Sequence, residues 1–198
     1  MIMVHGRGAT AESILTLSQE LAASGFAYVA PQAKGNTWYP NSFLAPIHNN
    51  EPYLSSALVS LEDALAHLAH GGIPEQRTLL LGFSQGACLS LEFAARHARR
   101  YGGVAGLSGG LIGPEGTPRN YSGSLAGTPI FLGCSDADFH IPKEQVHHTT
   151  KVLQGLGGDV TERLYPNLGH TINEDEVDFV RSMMKALLKV SSDEGSKA

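Results

Sequence analysis

Apolar positions along the chain alternate between short aliphatic runs and longer stretches of helical spacing, which is the sequence form of parallel βαβ units. The first run, over 2–4, ends at His5-Gly6-Arg7-Gly8, after which Thr10 is placed to cap a helix over 11–24 that Gly25 stops. Residues 26–30 read as the next strand. The stretch 31–50 has no period and carries Trp38, three prolines and several asparagines, and a loop of that length inside a compact domain is usually functional. Residues 51–70 then form an amphipathic helix, with Leu54, Leu58, Leu61, Leu65 and Leu68 at steps of three and four, closed by Gly71-Gly72 and Pro74.

The second half repeats the alternation. A buried strand over 78–81 leads through a tight turn into an alanine- and leucine-rich helix over 85–100, and 104–107 is the next strand. After a second glycine- and proline-rich loop, 108–127, a strand over 129–132 runs into Gly133-Cys134-Ser135-Asp136. Pro142 suits the first turn of a helix reaching about Gln154. A last strand over 160–165, a turn over 167–170 and a helix over 172–190 complete the pattern. The expected architecture is one α/β domain over 1–190, with a mostly parallel sheet covered by helices on both faces. Residues 191–198 are polar and read as a flexible tail.

Composition narrows the class of partner. The 198 residues carry 14 Lys+Arg against 19 Asp+Glu and show no basic stripe, so the electrostatic footprint of a nucleic-acid binder is missing and a small molecule is the expected partner. No run of apolar residues is long enough to span a bilayer, and residues 1–7 lack the pattern of an export signal. Two cysteines, Cys88 and Cys134, are far from a disulfide scaffold, and a reducing cytoplasm is the expected compartment. An exposed helix face leaves room for a homodimer. The 23 glycines cluster beside the apolar runs, where strand ends make tight turns.

The chemistry centres on Gly82-Phe83-Ser84-Gln85-Gly86, a G-x-S-x-G pattern with an apolar strand before it and a helix after it. Both glycines answer to crowding, because larger side chains would meet the adjoining strand and helix. A hydroxyl needs a general base, and the base needs a carboxylate to hold its tautomer. His170, between the last strand and the last helix, is the best placed of nine histidines; His67, His70, His97, His147 and His148 fall in helical segments and read as surface or packing residues. Asp136 and Asp138 both follow a late strand, and spacing alone does not choose between them. The N–H groups of Gln85 and of Arg7, in the early glycine loop, are expected to form an oxyanion hole, with the Arg7 side chain reaching outward to recognise an acidic substrate group. Cys134 is a competing thiol nucleophile without the strand-to-helix setting of Ser84. No metal site or phosphate-binding loop is spelled out, and no cofactor is expected.

With these residues in hand, the chain resembles the phospholipase/carboxylesterase family of α/β-hydrolases, over about 3–188. The markers are His5-Gly6, Gly82 to Gly86 with its glutamine, Leu107-Ser108-Gly109 and Gly169-His170. The resemblance implies a hydrolase without a cap domain. It favours Asp138 as the acid, because Asp138-Phe139-His140-Ile141-Pro142 keeps the family's spacing to a Val-Pro-like pair. It also implies that Trp38-Tyr39 walls the substrate pocket, although the acid that usually follows this aromatic pair is replaced by Pro40. Family members carry a pair of strands ahead of the His-Gly loop, whereas this chain opens almost on that loop's strand. The expected activity is a serine esterase on short-chain or aromatic carboxylic esters. The alternatives are an acyl-thioesterase or lysophospholipase, or a binding module on the same scaffold without turnover.

Overall fold

In the computed structural model the backbone is described for residues 1–195 and the side chains for residues 1–189. Five parallel strands, β1 (Ile2–Val4), β2 (Leu79–Phe83), β3 (Gly103–Leu107), β4 (Pro129–Ser135) and β5 (Asp159–Tyr165), lie side by side in chain order. Each neighbouring pair is parallel, so every connection must cross back over the sheet, and helices supply most of those crossovers. The helices are α1 (Ala11–Leu15), α2 (Leu17–Leu21), α3 (Tyr53–His70), α4 (Gln85–Arg96), α5 (Lys143–Gly155) and α6 (Glu174–Gly195). No helix among the described residues is long and apolar enough to cross a membrane.

The period of two along the strands sorts their side chains into two cores. Ile2, Val4, Leu80, Val104, Ile130 and Leu132 face the layer that holds α3 and α4. Met3, Leu79, Leu81, Ala105, Leu107 and Phe131 face the other, where Ile14, Leu21, Val180 and Met184 come from α1, α2 and α6. A sheet buried on both faces needs apolar residues at every strand position, which is why the strands read as continuous aliphatic runs.

Four elements depart from the sequence expectation. The helix over 11–24 is capped by Thr10 as expected, but it breaks at Thr16 and ends at Ala22 in a left-handed conformation, before Gly25. The strand expected over 26–30 shrinks to one bridge, in which the Val29 N–H bonds to the Met1 carbonyl and the Val29 carbonyl accepts from Met3. Pro31 has no N–H to continue that ladder. Helix α4 stops at Arg96 rather than Arg100. Tertiary contacts outweigh helix propensity there: Tyr101 is buried with its N–H on Thr128, and Arg99 is drawn to Glu62 and Glu75. The last helix begins later and runs further than expected. Asn173 and Glu176 cap each other's backbone N–H groups at 2.9 Å, a capping box already spelled by Asn173-x-x-Glu176. At the other end α6 continues to Gly195, into the stretch read as the polar tail, and 196–198 lie outside the described residues.

The β2–α4 turn is the tightest place in the fold. A Cβ at Gly86 would stand 2.1 Å from the Val4 carbonyl oxygen and 2.6 Å from that of His5, both backbone atoms of β1 and its loop. Neither can move without breaking the β1–β2 ladder. Gly86→Ala is therefore expected to destabilise the fold by about 3 kcal/mol or more, by urea unfolding. Gly155→Ala, at the open end of α5 with nothing within 4 Å, should be neutral or stabilising, and equal losses at both positions would remove the crowding argument.

Candidate active site

Parallel sheets place their functional loops at the carboxyl ends of the strands, and this one does so with β1, β2, β4 and β5. Ser84 sits between β2 and α4 at φ 55° and ψ −120°, a strained conformation for a residue with a side chain. Its N–H is held by the Leu107 carbonyl at 3.0 Å, and its own carbonyl accepts from Cys88 one helical turn on. The turn leaves the hydroxyl at the free amino-terminal end of α4, where the helix dipole favours developing negative charge.

The Ser84 Oγ lies 2.9 Å from His170 Nε2, and His170 Nδ1 lies 2.7 Å from Asp138 Oδ2. Asp138 is buried, and its other oxygen accepts from the backbone N–H groups of His140 and Ile141 at 2.8 and 3.1 Å. Burial alone works against the charge of this carboxyl. The hydrogen bonds from His170, His140 and Ile141 outweigh it and hold Asp138 below the usual carboxylate range. The structure thus brings together three of the expected site residues, and of the two aspartates it is Asp138 that faces His170. Asp136 has another task. Its Oδ1 accepts from the Asn167 N–H at 2.8 Å, and beside it Ser135 Oγ accepts from Gly169 at 3.0 Å, so the end of β4 clasps the loop that delivers His170. Neither clasp was foreseen from the sequence, because both depend on how two loops lie across adjacent strands.

The early glycine loop is set by His5. The buried ring accepts from the Ala33 N–H at Nε2, which leaves the proton on Nδ1 to donate to the Gly6 carbonyl at 2.8 Å. Ala9 donates to the same carbonyl. A trans peptide points its N–H away from its C=O, so anchoring the Gly6 oxygen aims the Arg7 N–H to the opposite side. Among the described residues no protein acceptor is recorded for the N–H of Arg7 or of Gln85. Gly6 allows the close approach, since a Cβ there would already be 3.4 Å from the Ser84 Cβ.

Two expectations about this neighbourhood need correction. The Arg7 side chain does not reach freely outward. Its guanidinium donates to the carbonyls of Tyr39, Pro40 and Asn41 at 3.0, 2.9 and 2.6 Å and so fixes the long loop over 31–50. Trp38 does not wall the pocket: it is buried, with Nε1 on the His5 carbonyl at 2.8 Å and its ring against His5. The physical link between the two motifs is Gln85. Its side chain accepts from the Trp38 N–H at 3.0 Å and donates to the Tyr39 carbonyl at 2.8 Å, which ties the loop to the serine turn.

A cavity of about 450 Å³ opens over Ser84. Tyr39 and Phe43 from the long loop line it, together with Phe83, Cys88, His140 and Ile141. Cys88 had a legible signal, since it follows Ser84 by four residues on a helix. Burial pushes its thiol up to about 12. Burial and then the Asp138 charge push Cys134 up to about 12 as well, which leaves it protonated and a poor nucleophile at neutral pH. A larger cavity, about 570 Å³, lies by α6 at the opposite end of the sheet, among Gly102, Pro129 and Met183. It is lined by none of the residues that surround Ser84.

A parallel sheet with a strained serine between strand and helix, and a histidine and an aspartate arriving from later strands, defines an α/β-hydrolase. A model of the phospholipase/carboxylesterase family matches residues 1–188, and the chain belongs to that family. It superimposes on a phospholipase/carboxylesterase from Dyadobacter fermentans with a TM-score of 0.89 at 41% identity, covering 92% of this chain and 88% of that one. Acyl-protein thioesterase 1 of Gibberella zeae is 31% identical over 119 residues, which are 59% of this chain and 51% of that protein. The match thus spans about half of that relative's length. A rice protein named "Probable inactive carboxylesterase Os04g0669700" is 25% identical over 98% of this chain and 87% of its own length.

Proposed function

We propose that the protein is a serine esterase that works through an acyl-enzyme, with Ser84 as nucleophile, His170 as general base and Asp138 as its orienting acid. The observation that carries this reading is the unbroken hydrogen-bonded chain from Ser84 Oγ through His170 to Asp138, at the mouth of a cavity. His170 Nε2 takes the Ser84 proton as Oγ attacks the ester carbonyl. The Arg7 and Gln85 N–H groups meet the oxyanion, and His170 returns the proton to the leaving alcohol. Water then repeats the sequence on the acyl-enzyme. A cavity of about 450 Å³ walled by Tyr39, Phe43 and Phe83 suits short-chain or aromatic carboxylic esters.

A thioester would present the same oxyanion to the same donors, and the relative named acyl-protein thioesterase 1 keeps that reading in view. The opposing class is a binding module without turnover, and the rice relative carries the word inactive in its name. Labelling by a fluorophosphonate probe separates the two classes. The expected result is one probe per chain, mapped by peptide mass to Ser84, with 4-nitrophenyl acetate hydrolysed faster than the octanoate. Folded protein that takes up no probe and turns over neither ester would favour the binding module.

A further inference from the structure

The chain as a whole is acidic, with a formal net charge of −5, yet among the described residues no aspartate or glutamate lines the cavity over Ser84. The basic side chains in that lining are Arg7, His140 and His170. Asp138, the nearest carboxylate by hydrogen bonding, lies buried behind His170 with both oxygens engaged. The two remaining groups reach the cavity from different sides of β2. Arg7 comes from the β1 loop, and His140 from the β4 loop, where its ring meets His170 edge-on at 4.8 Å.

Arg7 is an unusual cation because it is fixed without being neutralised. Among the described residues no carboxylate pairs with it, and its partners are the three backbone carbonyls of Tyr39, Pro40 and Asn41. Those bonds use three of the five N–H donors of a guanidinium and spend the side-chain entropy in advance. The remaining donors and the full charge stay at the exposed rim. A cleft of one sign with low-dielectric walls focuses its field on an incoming ligand.

From this lining we infer that the preferred substrates are anionic esters, in which one half flanking the carbonyl carries a carboxylate that Arg7 and His140 recognise. The inference rests on the esterase reading and adds a substrate class to it.

Two pairs of esters of matched shape test it at pH 7. In the first, 4-acetoxybenzoate and its methyl ester place the charge on the alcohol half. In the second, mono(4-nitrophenyl) adipate and its methyl ester place it at the end of the acyl half. The anionic member of at least one pair is expected to have a kcat/KM about tenfold above its neutral partner at low salt, mainly through KM, with 0.5 M NaCl removing most of the gap. Arg7→Gln and His140→Gln should each shrink that ratio, whatever they do to turnover of the neutral ester. The inference is overturned if both anionic esters are no better than their neutral partners, or if a preference survives both salt and both substitutions. In that event Ser84-dependent turnover of the neutral esters leaves the esterase reading standing. No turnover of any of the four would sink the esterase reading and the charge preference with it.

Discussion

Ser84→Ala is expected to lower kcat for 4-nitrophenyl acetate by about 10⁴- to 10⁶-fold and to abolish fluorophosphonate labelling, while the thermal midpoint stays close to that of the parent. The size follows from what is removed. The hydroxyl is the group at the head of the Ser84–His170–Asp138 chain, next to the base that would take its proton, and the buried thiols nearby are held protonated. What survives would be the oxyanion donors and the cavity, which can assist attack by water to a small extent. Stability should be preserved or improved, because alanine fits the space of serine and the turn geometry is imposed by Gly82 and Gly86. A variant that kept a tenth of parental activity would remove Ser84 from the mechanism.

The second large effect is expected at the acid. Asp138 Oδ1 is an acceptor for two backbone N–H groups, so the oxygen of an asparagine would take that place and its NH₂ would turn toward His170. A donor facing Nδ1 forces the imidazole proton onto Nε2, where it points at Ser84 and cannot accept the hydroxyl proton. Asp138→Asn should therefore lower kcat by about 10⁴-fold with little change in KM. Asp136→Asn keeps an amide oxygen for the Asn167 N–H and should stay within a few-fold of the parent. The opposite ranking would transfer the role to Asp136. The depressed ionisation of Asp138 also carries a sign for stability. The folded state favours the charged carboxylate, so its contribution is complete above the ordinary carboxylate pKa and is lost as pH falls through the lower value in the fold. In Asp138→Asn the acid side of the stability profile should accordingly flatten.

Both predictions start from residues that the linear pattern already singled out, and the reason is that their signals are local. The G-x-S-x-G turn needs its glycines because strand and helix meet within five residues, and Gly82 and Gly86 indeed leave no space for a Cβ. The two-sided burial of a parallel sheet writes itself as aliphatic runs at β2 and β4. The Asn173–Glu176 cap is equally local, spanning four residues at the start of α6. At the end of α4 the linear pattern misled because distant partners intervened, Arg99 being pulled toward Glu62 and Glu75, whereas the short pairing at Val29 has a local cause in Pro31.

The sequence by itself determined the class of fold, the serine, the histidine and the short choice between Asp136 and Asp138, since each is set by neighbours a few residues away. Only the tertiary structure decided which aspartate faces His170 and that Trp38 is a buried strut rather than a pocket wall. It alone placed the Arg7 charge on the Tyr39–Asn41 carbonyls and lined the cavity with no carboxylate among the described residues. Those outcomes depend on where loops from β1, β2, β4 and β5 meet above the sheet. No spacing along the chain encodes that meeting, because strand order and loop contact bring residues as far apart in the chain as Gly6 and His170 to one cavity.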